Sequence, residues 1–209
     1  MKPQASDTAL IVVDVQNDFC PGGALAVPGG DEIVEPINRL IERFANVVLT
    51  QDWHPPKHSS FASSHPGSAP FSAIEMAYGM QTLWPDHCVQ GSAGAEFHKA
   101  LAWEKAQLII RKGFRKPIDS YSAFFENDRR TPTGLAGYLR ERGIGTIVLA
   151  GLATDFCVAY SALDAAKLGL RVGAVMDASR AIDLNGSLAA AEKDMRAAGV
   201  TLTQMSAVV

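Results

Sequence analysis

The sequence predicts an α/β protein: a three-layer α/β/α sandwich around a central, mainly parallel sheet of about six strands. Three observations carry this. Short apolar runs alternate with segments of helical period along the whole chain. The runs Ala9–Val13 and Thr146–Ala150 are apolar rather than alternating, as expected of strands covered on both faces. Glycine closes two of the helical segments, at Gly169 and Gly199, where a left-handed residue ends a helix cheaply.

The elements follow in order. Ala9 to Val13 is the first buried strand. Asp31 to Phe44 places Ile33, Val34, Ile37, Leu40, Ile41 and Phe44 on one helical face. Asn46 to Thr50 is the second strand. Residues 53 to 95 are rich in Pro, Gly, Ser and His without a sustained period and read as a long loop, of the kind that usually carries function. Gln107 to Arg111 is the third strand and Gly134 to Arg142 a helix. Thr146 to Ala150 is the fourth strand, with Asp155 to Leu168 its following helix. Arg171 to Met176, a helix over Ser187 to Ala198, and a last strand over Val200 to Gln204 complete the alternation. Such units connect right-handedly into one parallel sheet. One domain over residues 1–209 is expected, with a functional loop region at about 52–95.

Composition excludes several classes. The chain has 209 residues, 47% hydrophobic and 20% charged, which is ordinary globular usage. A net charge of -3 offers no electrostatic footprint for nucleic acid or an anionic membrane. No apolar run is long enough to span a bilayer, and no secretory signal is expected. Cys20, Cys88 and Cys157 are too few and too scattered for a disulfide framework, which fits a reducing cytosol. A homo-oligomer remains compatible with this composition.

Ligands of open α/β sheets bind beyond the carboxyl ends of the strands. Asp14, Asp52, Lys112 and Cys157 follow the first four predicted strands, so all four face one edge. Cys157 falls on the first turn of a helix, whose terminus favours a thiolate over a thiol. A cysteine nucleophile needs a proton acceptor and local positive potential, roles suited to Asp14 and Lys112. Asp52 and His54 are two apart in extended chain, so their side chains share a side. Such a pair suits zinc, iron(II) or manganese. His87 is the first choice for a third ligand, with His58 and His65 as alternatives. Phe19, Trp53, Trp84, Tyr121 and Phe124 lie beside these positions and suggest a small flat apolar pocket.

The segments Asp14-Val15-Gln16-Asn17-Asp18-Phe19, Asp52-Trp53-His54-Pro55, Trp84-Pro85-Asp86-His87-Cys88, Lys112-Gly113 and Gly151-Leu152-Ala153-Thr154-Asp155-Phe156-Cys157 resemble the nicotinamidase/pyrazinamidase family of isochorismatase-like cysteine hydrolases. The likeness runs in order from about residue 8 to the last strand. It implies deamidation of nicotinamide, with pyrazinamide as a further substrate, in NAD salvage. It implies Asp14, Lys112 and Cys157 as catalytic residues and Asp52, His54 and His87 as ligands of one divalent metal, Zn2+ before Fe2+ or Mn2+. Phe19 and Trp84 match positions that sandwich the pyridine ring, and Tyr121 joins them as a substrate contact. A cis peptide between Leu152 and Ala153 is implied, aiming the Ala153 N–H at an oxyanion shared with the Cys157 N–H. Some members use a further protein ligand; Ser60, His58 and His65 are its candidates here. No role beyond packing is assigned to Cys20 or Cys88.

Overall fold

The computed structural model describes residues 2–208; the ends of the expected 1–209 domain, Met1 and Val209, lie outside the described residues. Six strands form one parallel sheet: β1 (Thr8–Val13), β2 (Asn46–Asp52), β5 (Leu108–Lys112), β6 (Thr146–Leu152), β7 (Arg171–Arg180) and β8 (Thr201–Thr203). Their spatial order is β5-β2-β1-β6-β7-β8. The order reverses around β1, and this crossover opens a crevice at the carboxyl ends. The three-layer reading holds. Every residue of β1, β2 and β6 is buried, as strands covered on both faces require.

The helices are α1 (Val34–Arg43), α2 (Leu135–Glu141), α3 (Ala159–Lys167) and α4 (Ser187–Ala197). Helix α1 buries Val34, Ile37, Leu40 and Ile41, the stripe its period predicts. Helix α3 is capped by Leu168 and followed by Gly169 at φ 83°, the left-handed stop read from the sequence. Among the described residues no helix is long and apolar enough to cross a membrane.

Four expectations are corrected. The long loop holds an antiparallel hairpin, β3 (Ala73–Met76) and β4 (Gly79–Thr82). Its strands are half exposed and lack a long apolar run, so periodicity misses them. Asp52 and Lys112 do not follow their strands but end them, paired Asp52↔Lys112. Strand β7 runs on to Arg180 through a bulge, since Ala174 pairs with Leu149 but Ser179 with Gly151. Ser179 Oγ fills this bulge, accepting from the Gly151 N–H at 3.2 Å and donating to the Val175 carbonyl at 2.9 Å. The helix expected from Asp155 begins instead as a π-type turn over Thr154–Val158.

Candidate active site

Chain geometry at the strand ends creates the site. β1 leaves the sheet at Asp14, whose φ of 49° turns the backbone out of the strand. The Asp14 carboxylate is fully buried, and Thr50 Oγ1 donates to its Oδ1 at 2.6 Å. Its Oδ2 lies 2.8 Å from Lys112 Nζ, off the line of a good hydrogen bond, and keeps acceptor capacity.

Lys112 is the hub. Its Nζ lies 2.5 Å from Asp52 Oδ1, 2.9 Å from the Ser120 carbonyl and 3.3 Å from Cys157 Sγ. Burial alone would discharge this lysine, but Asp14 and Asp52 outweigh it and push its pKa well above the usual lysine range. Burial also raises Asp14, against the pull of Lys112. Asp52 resists its own burial because Lys112 and then His54 hold it well below the usual carboxylate range. An isolated charge here would cost several kcal/mol, so the three ionised groups stand or fall together.

Cys157 sits in the turn after β6. Gly151 carries φ 132°, and a Cβ there would meet the Val13 carbonyl oxygen at 2.1 Å, so only glycine lets β6 pass β1 this closely. The Leu152–Ala153 peptide is cis. The Ala153 carbonyl then accepts from the Phe156 and Val158 N–H groups, each at 3.1 Å, which folds the turn that presents Sγ. Burial pushes the thiol well above its usual range; Lys112 opposes this, but Asp14 and Asp52 add to the rise. Burial is the largest of these influences, and the thiol stands beside both a base and a cation.

The second cluster shares Asp52. Its Oδ2 lies 3.4 Å from His54 Nε2 and 3.6 Å from His87 Nε2, all three groups being buried. Each imidazole spends Nδ1 on a backbone carbonyl: His54 on Gly113 at 3.0 Å, His87 on Pro85 at 2.8 Å. Carbonyls only accept, so both Nδ1 atoms carry hydrogen, and the Nε2 atom of each ring is turned towards Asp52. One carboxylate oxygen and two oriented imidazoles within 4.8 Å of one another fit a divalent ion of zinc type. Gly113 (φ 68°) is required here, since a Cβ would meet His54 Cε1 at 2.5 Å.

The alternative ligands resolve differently. His58 directs Nε2 at the Arg115 and Ile118 carbonyls, 3.0 and 3.3 Å, and its Nδ1 accepts from the Ser60 N–H at 3.2 Å. Both of its nitrogens are spent, and Ser60 Oγ is held 2.8 Å from the same Nδ1. His65 donates to the Ser59 carbonyl at 2.7 Å, outside the cluster.

Phe19, Trp84 and Tyr121 line one pocket with Asp52, His87, Ala153 and Cys157. Phe156 packs edge-on against Trp84 at 4.9 Å and completes the apolar wall with Leu25 and Ile182. The Trp84 indole donates to the Tyr121 hydroxyl at 3.0 Å, and Gln81 of β4 donates to the same oxygen at 2.9 Å. Trp53 and Phe124 stay out of the pocket: Arg111 stacks on Trp53 at 3.9 Å, and Phe124 is core. Cys88 is buried with its thiol pushed well above its usual range by burial and then Asp52; its N–H donates to Asp18 Oδ2 at 2.7 Å. Cys20 is pushed up to about 11 by burial and Asp31.

Sequence reasoning missed three polar residues. Asp119 lines the pocket with Oδ1 4.0 Å from His54 Nε2, and stands in an irregular segment that has no pattern to announce it. Thr50 hides inside an apolar strand. Gln16 lies within a quoted motif, but only the fold shows what its amide touches.

The chain matches the isochorismatase domain over residues 8–207. It is 60% identical over 197 residues to the nicotinamidase of Acinetobacter baylyi, covering 94% of this chain and 92% of that one. The chain belongs to the isochorismatase family, among its nicotinamidase/pyrazinamidase members. A solved Acinetobacter baumanii nicotinamidase/pyrazinamidase superposes with a TM-score of 0.96 at 57% identity, covering 97% of this chain and 98% of that one. The Pyrococcus horikoshii pyrazinamidase, solved in complex with zinc, superposes at 0.76 with 37% identity, covering 95% and 99%.

Proposed function

We propose that this chain hydrolyses nicotinamide to nicotinate and ammonia through a thioester on Cys157, with pyrazinamide as a second substrate and NAD salvage as its setting. The observation that carries the reading is the position of Lys112 Nζ, within 3.3 Å of the thiol and in contact with both Asp14 and the carboxylate shared with His54 and His87. The names of the A. baylyi and A. baumanii relatives support the substrate, and the zinc complex of the P. horikoshii relative supports the metal.

A divalent ion held by Asp52, His54 and His87, with zinc the first choice, would supply a Lewis-acidic anchor for the pyridine nitrogen. Phe19 and Trp84 hold the ring and Tyr121 bounds it, which sets the carboxamide carbon over Cys157. Asp14 takes the thiol proton through its uncommitted Oδ2, and Sγ attacks the carbonyl carbon. The Ala153 and Cys157 N–H groups receive the oxyanion; one such donor is typically worth about 3 kcal/mol. Collapse breaks the C–N bond, and Asp14 passes its proton to the leaving amine, releasing ammonia. Asp14 then takes a proton from water, whose oxygen attacks the thioester carbon. The C–S bond breaks and the thiol regains its proton. Lys112 stays charged throughout and stabilises each anionic partner in turn.

Rapid acid quenching during turnover tests the covalent step. Intact-mass measurement should find a nicotinoyl adduct on the peptide containing Cys157. Turnover with no adduct at any quench time, and with normal rates in the Cys157→Ala chain, would remove the thioester scheme.

A further inference from the structure

The sheet has a gap beside the site, and one side chain closes it. β1 and β2 pair in parallel from Ala9↔Asn46 to Val12↔Leu49. Beyond that, β1 turns away at Asp14, while β2 continues to Asp52. On its other side β2 still pairs with β5, so only the edge facing β1 is left without a strand. A bare peptide at this depth would leave a buried donor and acceptor unpaired.

Gln16 fills the gap. Its Oε1 accepts from the Asp52 N–H at 2.8 Å, and its Nε2 donates to the Asp52 carbonyl at 2.9 Å. The same Nε2 donates to the Ala95 carbonyl at 2.9 Å. The side chain is fully buried. Its carboxamide therefore stands where the peptide of a neighbouring strand would stand, and both of its amide hydrogens and its oxygen are engaged.

The residue it grips is the one whose carboxylate serves both halves of the site. Asp52 Oδ1 meets Lys112 Nζ, and Oδ2 meets the two Nε2 atoms. We infer that Gln16 is a positioning residue that locks the Asp52 backbone, so that one carboxylate can serve the lysine and the cation at once. The inference rests on the reading of Asp52, His54 and His87 as cation ligands. It separates Gln16 from Thr50, which orients Asp14 alone.

The test uses the full chain stripped of metal. Zn2+ affinity is measured by competition with a chromogenic chelator, and the melting temperature and nicotinamide kinetics are taken on the same preparations. Gln16→Met, which keeps the bulk but none of the three hydrogen bonds, should bind Zn2+ about 10–100-fold more weakly while remaining folded. Its kcat should fall more than its KM changes after Zn2+ saturation, because the lysine contact stays disturbed. Gln16→Asn keeps the carboxamide one methylene shorter and should fall between; it carries the test if the Gln16→Met chain does not fold. A folded variant with a lowered melting temperature but Zn2+ affinity and kcat within twofold of wild type would overturn the inference and leave Gln16 as packing. Wild type that binds no Zn2+ would instead remove the cation reading; the kcat of the variants then decides, and a value within twofold of wild type overturns the role of Gln16.

Discussion

The two ends of the same sheet make opposite use of charge. At the amino end lies the larger cavity, about 530 Å³, bordered by Asp7, Thr146, Arg171 and Thr201. Its ion pair, Arg171 with Asp7 at 3.2 Å, keeps 75% and 49% of its side chains exposed. At the carboxyl end the pocket is tighter, yet Asp14, Asp52 and Lys112 are 6% exposed or less. A wet pair gains little and commits the protein to nothing. A dry cluster is costly unless every member is held, and it is the place where proton affinities are tuned. Size of cavity does not mark the chemistry here; buried charge does.

The sharpest way to break this comparison is at the hub. Lys112→Met should lower turnover by about two to four orders of magnitude and destabilise the fold by about 3–5 kcal/mol, since two carboxylates lose their partner. Urea unfolding alongside ammonia release checks both, and a loss under 1 kcal/mol would contradict a charge cluster held together by this lysine. Next comes the cation side. His87→Ala should cut bound zinc, read by elemental analysis, at least tenfold while the far-UV spectrum is retained. The pocket wall is expected to matter less: Trp84→Ala should raise KM for nicotinamide by about 10–200-fold, the scale of one lost apolar contact surface. The smallest effect belongs to the amino end. Asp7→Asn should change stability by under about 1 kcal/mol and leave kcat and KM as they are.

Legibility divides along the same line. The sheet was readable because β1 and β6 are almost wholly apolar and β2 carries the apolar run Val47–Leu49, and α1 because its stripe has the right period. The strand ends were readable because a parallel sheet sends all its carboxyl termini to one edge, which brought Asp14, Asp52, Lys112 and Cys157 together. The hairpin was not, because β3 and β4 lie half exposed and depend on Gln81 bonding to Asp119 and Tyr121 rather than on an apolar pattern. The surroundings of Cys157 are legible only in part. A helix terminus is visible in sequence, whereas the depth at which two carboxylates surround a thiol is not. The sequence already favours His87 over His58, and the ring contacts separate them further, since His58 Nε2 meets two backbone carbonyls while His87 Nε2 meets Asp52.

The central claim is that the thiol of Cys157, set against Lys112 and Asp14, is the nucleophile for a carboxamide. It is tested most directly by ammonia release from nicotinamide, with wild type and the Cys157→Ala chain side by side and zinc determined on the same preparations. Wild type should turn over, and the variant should lose roughly four orders of magnitude or more at unchanged zinc content. Substantial turnover in the variant, or none in folded, zinc-loaded wild type, would contradict it; the second result would turn attention to a carbamoyl substrate.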